Sequence, residues 1–404
     1  MKNLDQFISQ MMESARLVQN RDVSGASAVI QQALAQAGLA TPHAAGTTQA
    51  AANAAENAAA TATEEETEFV DLNPAPDWSA RRTAPPRPSK ARRAGADPEF
   101  FQRFMRTGAA AHKQAAAVAP APNWPGRFIA GRHACESGAR GYKLYIPAAP
   151  VAPGTRRPLV VMLHGCKQHP EDFAAGTTMN ALAEEQGCLV LYPEQTAGAN
   201  PSACWNWFDG AHQGREQGEP SILAGMTREV LREHGGDPGR VFVAGLSAGG
   251  AMAAILGTAY PELYAAVGVH SGLPFAAAHD LQSAVAAMKG DFRRRHVPGR
   301  ALPIIVFHGD KDTTVHPANG DELIERRRRD PLDATAVEPG QVPDGHAYTR
   351  TVHSRPDGSV QAEHWLVHGA GHAWSGGDAR GTYTDGKGPS ASQAMLQFFR
   401  TARR

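Results

Sequence analysis

The hydrophobic pattern changes character along the chain. Leu4, Phe7, Ile8, Met11, Ala15 and Val18 fall on one helical stripe. Val23, Ala26, Val29, Ile30, Ala33 and Leu34 fall on a second, with Asn20-Arg21-Asp22 between the two and Gly38 at the close. This spacing predicts a helical hairpin over residues 1–40, too small to bury much core alone. Beyond Thr41 the periodicity vanishes. An Ala/Thr-rich run leads to an acidic group (Glu64, Glu65, Glu66, Glu68, Asp71) and then to a proline-rich basic group with Arg81, Arg82, Arg87, Lys90, Arg92 and Arg93. Such sequence buries too little apolar surface to offset its chain entropy, so residues 41–122 are expected to be a disordered, low-complexity linker. Asp97-Pro98-Glu99 is a helix start within it. Phe100, Phe101, Phe104 and Met105 then give a short amphipathic helix near 97–107.

From about residue 123 short apolar runs alternate with helical stripes. Gly126–Ala130 and Tyr142–Ile146 read as an opening strand pair, and Pro158–Leu163 as a buried strand. Helix Glu171–Gln186, strand Cys188–Tyr192 and helix Ile222–His234 follow, and then strand Val241–Ala244. Tyr264–His270, Leu302–Phe307 and Trp365–Val367 are further strands, and Ser390–Phe399 is a closing helix. Alternation of this kind predicts one α/β domain over residues 123–404, built on a doubly wound, mostly parallel sheet.

The stretch that organises this domain is VFVAGLSAGG, Val241 to Gly250. A buried strand passes through Gly245-Leu246-Ser247-Ala248-Gly249 directly into the helical run Ala251–Leu256. That is the pattern of a nucleophile elbow, in which a strained turn exposes Ser247 Oγ at the tip of the sheet. A serine hydroxyl needs a histidine to take its proton and an acid to orient the histidine. In α/β-hydrolases these follow in the order Ser, acid, His.

The strand Leu302–Phe307 ends in His308-Gly309-Asp310-Lys311-Asp312, and Trp365–Val367 leads to His368-Gly369-Ala370-Gly371-His372-Ala373-Trp374. Asp310 and Asp312 compete as the acid. Asp312, further past the strand end, is favoured, and Asp310 is expected to be structural. Of the histidines at strand ends (His164, His270, His308, His368, His372), His372 is favoured because glycines border its loop. The oxyanion of acyl transfer needs two backbone donors. One is the N–H of Ala248, and the loop His164-Gly165-Cys166 offers the other at Cys166. Trp205, Trp207, Phe208 and Trp374 are aromatics placed near this site. The three tryptophans are expected to bind an apolar or polymeric acyl group.

Lys+Arg and Asp+Glu balance at 40 each over 404 residues, so no global field recruits nucleic acid or a membrane surface. The stretch MKNLDQFISQMMES has neither a basic n-region nor a continuous apolar core, and no run approaches the ~20 apolar residues of a membrane span. The expectation is a soluble, cytoplasmic protein. Cys135, Cys166, Cys188 and Cys204 allow three full pairings, and no cysteine or histidine cluster has zinc spacing, so neither metal nor cofactor is expected.

Taken together, LHGC-Q, CWNWF, GLSAGG, HGDKDTTV and GAGHAWSGG resemble the poly(3-hydroxybutyrate) depolymerase family of esterases, whose relatives include feruloyl and acetylxylan esterases. The resemblance covers about Arg127 to Phe399. It implies an α/β-hydrolase fold, Ser247, Asp312 and His372 as triad, Cys166 at the oxyanion hole, and a Cys166–Cys204 disulfide. It implies an ester substrate, most directly poly- or oligo-hydroxyalkanoate, with feruloyl or acetyl-carbohydrate esters as alternative. A non-catalytic protein attached to polymer granules through residues 1–40 and Phe100–Met105 is the contrasting reading, and the sequence leaves the oligomeric state open.

Overall fold

The computed structural model describes residues 124–291, 301–326 and 334–402. The expected hairpin, linker and short amphipathic helix of residues 1–122 lie outside them. Eight strands form most of one sheet: β1 (Arg127–Cys135), β2 (Gly138–Ile146), β3 (Arg157–Leu163), β4 (Leu189–Pro193), β5 (Gly236–Leu246), β6 (Ala266–His270), β7 (Ile304–Gly309) and β10 (Val360–Val367). Two more, β8 (Ala334–Gln341) and β9 (Ala347–Ser354), extend it at one edge. The spatial order is β1-β2-β4-β3-β5-β6-β7-β10-β9-β8. From β4 to β10 every neighbouring pair is parallel, while β1, β2, β8 and β9 join antiparallel. The fold is that of an α/β-hydrolase.

Strand periodicity sorts the core into two layers. Leu159, Val161, Val241, Val243, Ile304 and Val306 face one side; Val160, Met162, Phe242, Ala244, Ile305 and Phe307 face the other. Because both faces are covered, these strands read as unbroken apolar runs. One layer is closed by α3 (Gly218–Glu233) and α4 (Ala248–Ala259), the other by α1 (Pro170–Thr177), α2 (Met179–Gln186) and α7 (Ala391–Thr401). Among the described residues no helix is long and apolar enough to cross a membrane.

Several elements differ from expectation. The single helix expected over Glu171–Gln186 is broken between α1 and α2 at Thr178, whose φ of 52° is left-handed. The β8–β9 hairpin was not legible because β8, ATAVEPGQ, is exposed along nearly its whole length and has no buried face to pattern it. Helices α5 (Leu281–Met288) and α6 (Ala318–Glu325) are eight residues each, too short to show a clear stripe.

The closing helix is held by an aromatic stack: Phe399 lies on Phe242 of the elbow strand at 4.8 Å between centroids, nearly coplanar. Both rings are buried. Phe399→Ala should therefore cost about 3–5 kcal/mol of unfolding free energy, read from urea denaturation. A loss below about 1 kcal/mol would show that α7 is not docked through this ring.

Candidate active site

The elbow is made by sterics. Ser247 has φ 57° and ψ −118°, outside the regions that L residues favour. The backbone is held there because β5 turns into α4 with no room to spare. A Cβ on Gly249 would strike the carbonyl oxygens of Leu163 and His164, and one on Gly245 would strike the backbone of Gly249. The Ser247 N–H donates to His270 O at 2.9 Å, tying the elbow to the end of β6.

Asp312 lies past the end of β7 and is buried. Its Oδ1 accepts from the N–H groups of Thr314 and Val315, both at 2.9 Å, and its Oδ2 accepts from His372 Nδ1 at 2.7 Å. Burial alone would raise this carboxyl, but His372 and His308 beside it outweigh that and hold it well below the usual carboxylate range. With Nδ1 donating to Asp312, His372 presents Nε2 as an acceptor.

Asp310 is engaged elsewhere. Its Oδ2 pairs with His368 Nδ1 at 3.1 Å, and its Oδ1 accepts from Gly369 N–H at 2.8 Å. The competing acid and the competing histidine thus meet each other, away from Asp312 and His372.

His270 links the histidine loop to the elbow. Its carbonyl accepts the Ser247 N–H, while its ring Nε2 accepts the N–H of Ser375, three residues beyond His372, at 2.9 Å. The ring is stacked between Phe307 and Trp374. No sequence signal separated His270 from the other strand-end histidines, because its work is done by one backbone and one ring atom.

A small enclosed cavity beside Ser247 is walled by Cys166, Cys204, Ala248, Trp207 and Phe208, with Leu273, Met288 and Val315 completing the lining. Cys166 and Cys204 are disulfide-bonded, and Cys135 and Cys188 are free. The bridge fixes the His164-Gly165-Cys166 loop to the Cys204–Phe208 loop. Glu219, fully buried, accepts from Asn206 N–H and Asn206 Nδ2, each at 2.8 Å, and from Gln195 Nε2, so the second loop is anchored from within.

Trp207 is the tryptophan that reaches the cavity. Trp205 and Trp374, expected to bind substrate, do not. Trp205 is wholly buried and donates its Nε1–H to His164 O at 3.1 Å. Trp374 is buried against Phe173 and donates to Ser392 Oγ at 3.0 Å. Both are core aromatics whose indole N–H finds an internal acceptor, as buried tryptophans require. Leu273 and Met288 went unread because they come from a turn and a short helix with no motif. Two larger clefts, of about 560 and 500 Å³, lie toward the N-terminal ends of β3 and β5, away from Ser247.

The buried histidines give the site a pH signature. Burial pushes His164 down to about 4 and His270 to about 3, the latter helped by His308 and His372. Each ring Nε2 accepts a backbone N–H, from Gln195 and Ser375 respectively, which a protonated ring could not do. Unfolded, both take a proton near pH 6.5. Between there and about pH 4 the unfolded chain binds protons that the folded one refuses, so stability falls as pH falls. Urea midpoints should drop steadily from about pH 7 to about pH 5, each histidine contributing up to ~1.4 kcal/mol per pH unit. A flat profile would mean that these rings are not held neutral.

Residues 140–338 match the family model described as Esterase PHB depolymerase, a span that includes Ser247 and Asp312 and ends before His372. The poly(3-hydroxyalkanoate) depolymerase C of Paucimonas lemoignei is 32% identical over 229 residues, 53% of this chain and 54% of that protein. The poly(3-hydroxybutyrate) depolymerase of Ralstonia pickettii is 27% identical over 264 residues, 59% of this chain and 52% of that protein. Feruloyl esterase B of Thermothelomyces thermophilus is 29% identical over 191 residues, 43% of this chain and 65% of that protein. The chain thus spans about half the length of the two depolymerases it matches. Elbow, sheet order and sequence match agree, and residues 140–338 are similar to the esterase family of the poly(3-hydroxybutyrate) depolymerases, with feruloyl and acetylxylan esterases among the other similar proteins.

Proposed function

We propose that this protein is a serine ester hydrolase working through an acyl-enzyme, with Ser247 as nucleophile, His372 as general base and Asp312 as the orienting acid. The observation that carries this reading is the Asp312–His372 hydrogen bond on a loop tied through His270 to the strained Ser247 elbow. His372 Nε2 takes the Ser247 proton as Oγ attacks the ester carbonyl. The resulting oxyanion accepts from the N–H groups of Cys166 and Ala248. Collapse expels the alcohol, which takes the proton from His372, and water then releases the acid by the same steps in reverse.

Poly- or oligo-hydroxyalkanoate esters, of 3-hydroxybutyrate above all, are the proposed substrate. The depolymerase relatives support this, and so does the apolar lining that Leu273, Met288 and Val315 give the small cavity beside Ser247. Feruloyl and acetyl-carbohydrate esters are the competing substrates, supported by the esterase relatives. The disulfide beside Ser247 supports an oxidising compartment over the cytoplasm expected from the sequence.

A panel of hydroxybutyrate oligomers, amorphous polymer, a feruloyl ester, acetylated xylan and a short p-nitrophenyl ester tests the reading. Ser247→Ala should abolish turnover of every substrate that the wild type cleaves. Asp312→Asn should lower kcat by up to about 10⁴-fold while Asp310→Asn stays mild. Activity surviving in Ser247→Ala would point to a non-serine mechanism, and the reverse order for the two aspartates would reassign the acid.

A further inference from the structure

His308 is the last residue but one of β7, following Ile304, Ile305, Val306 and Phe307, and it is wholly buried. An imidazole in that place must be explained, since an aliphatic residue would fill the layer without bringing polar atoms into it. Its Nε2 lies 2.8 Å from the carbonyl oxygen of Val315, which can only accept, so Nε2 carries the proton. Nδ1 then bears a lone pair; it faces Gly320 and has no hydrogen-bond partner. The fold tolerates that unpaired nitrogen in order to keep one donor aimed at Val315.

Val315 is the residue whose N–H holds Asp312 Oδ1, and whose side chain lines the cavity beside Ser247. One peptide therefore grips the acid with its N–H while the next carbonyl along is gripped by His308. The same Nε2 also lies 3.5 Å from Asp312 Oδ2, the oxygen that receives His372 Nδ1. His308 thus closes the Asp312–Val315 turn through the Val315 carbonyl.

Resting on the triad reading above, we infer that His308 is a positioning residue for Asp312. Its Nε2–H fixes the turn that sets the carboxylate's orientation toward His372, and it contributes to rate through that geometry, with no contact to substrate. A carboxylate free to swing would leave the His372 ring misaligned when the serine proton is transferred, and misplacement of about 1 Å can cost about 100-fold in rate.

Two amide substitutions in the full chain separate this role from simple packing. The amide nitrogen of Gln in His308→Gln reaches the place of Nε2 and can still donate to Val315 O. In His308→Asn the amide nitrogen falls near the place of Nδ1 and cannot. On a short p-nitrophenyl ester, His308→Asn should lose about 10- to 100-fold in kcat with KM within about twofold, while His308→Gln stays within about threefold of wild type. Thermal melting of both variants is measured alongside, since a packing role would lower the two melting temperatures and leave no Gln rescue. Equal kcat in the two variants, whether both at the wild-type value or both depressed with their melting temperatures, would overturn the positioning role. If the wild type cleaves the ester and Ser247→Ala does not, such a result touches His308 alone. A wild type without ester turnover would instead remove the esterase reading and this inference with it.

Discussion

The geometry at the mouth of the sheet depends on one close approach, that of Gly249 to the carbonyl oxygens of Leu163 and His164. With no side chain at Gly245 or Gly249, α4 starts directly against the end of β3, and Ser247 is left no conformation but the strained one. The same contact brings the loop after β3, with Gly165 and Cys166, beside the start of α4. A candidate nucleophile and two candidate oxyanion donors thus arise from the way two parallel strands meet one helix. The Cys166–Cys204 bridge and the buried Glu219 hold the next loop in place, so that Trp207 closes the cavity.

The second constraint is electrostatic. A carboxylate as buried as Asp312 is stable only when its lone pairs are met. Two backbone N–H groups and His372 meet them, and His308 fastens the turn that supplies the backbone donors. The burial that makes Asp312 hard to charge also makes its pairing with His372 strong, since the local dielectric is low. Asp310 and His368, partly exposed, form a comparable pair without that leverage.

Much of this was legible in the sequence where chemistry and backbone coincide. The strand-to-helix passage through Gly245-Leu246-Ser247-Ala248-Gly249 fixes a shape by sterics, and shape of that kind can be read from residue type alone. Asp312 and His372 were separable from Asp310 and His368 by their distance from the strand ends, and the structure pairs them accordingly. Trp205 and Trp374 were misread because an indole looks the same in a sequence whether it faces a cavity or donates inward to His164 O or Ser392 Oγ. His270 and His308 were seen only as strand-end histidines for a related reason: their contacts are to backbone atoms of other segments, which no local pattern encodes. The β8–β9 hairpin escaped because an exposed edge carries no hydrophobic alternation.

The central claim is that the strained serine is the nucleophile and that the Asp312–His372 pair activates it. Covalent labelling with a fluorophosphonate probe, followed by peptide mapping, tests it most directly. The account predicts stoichiometric modification at Ser247 in the wild type and much slower modification at the same residue in Asp312→Asn. Labelling of another residue, or labelling of Ser247 at the same rate in both proteins, would contradict it.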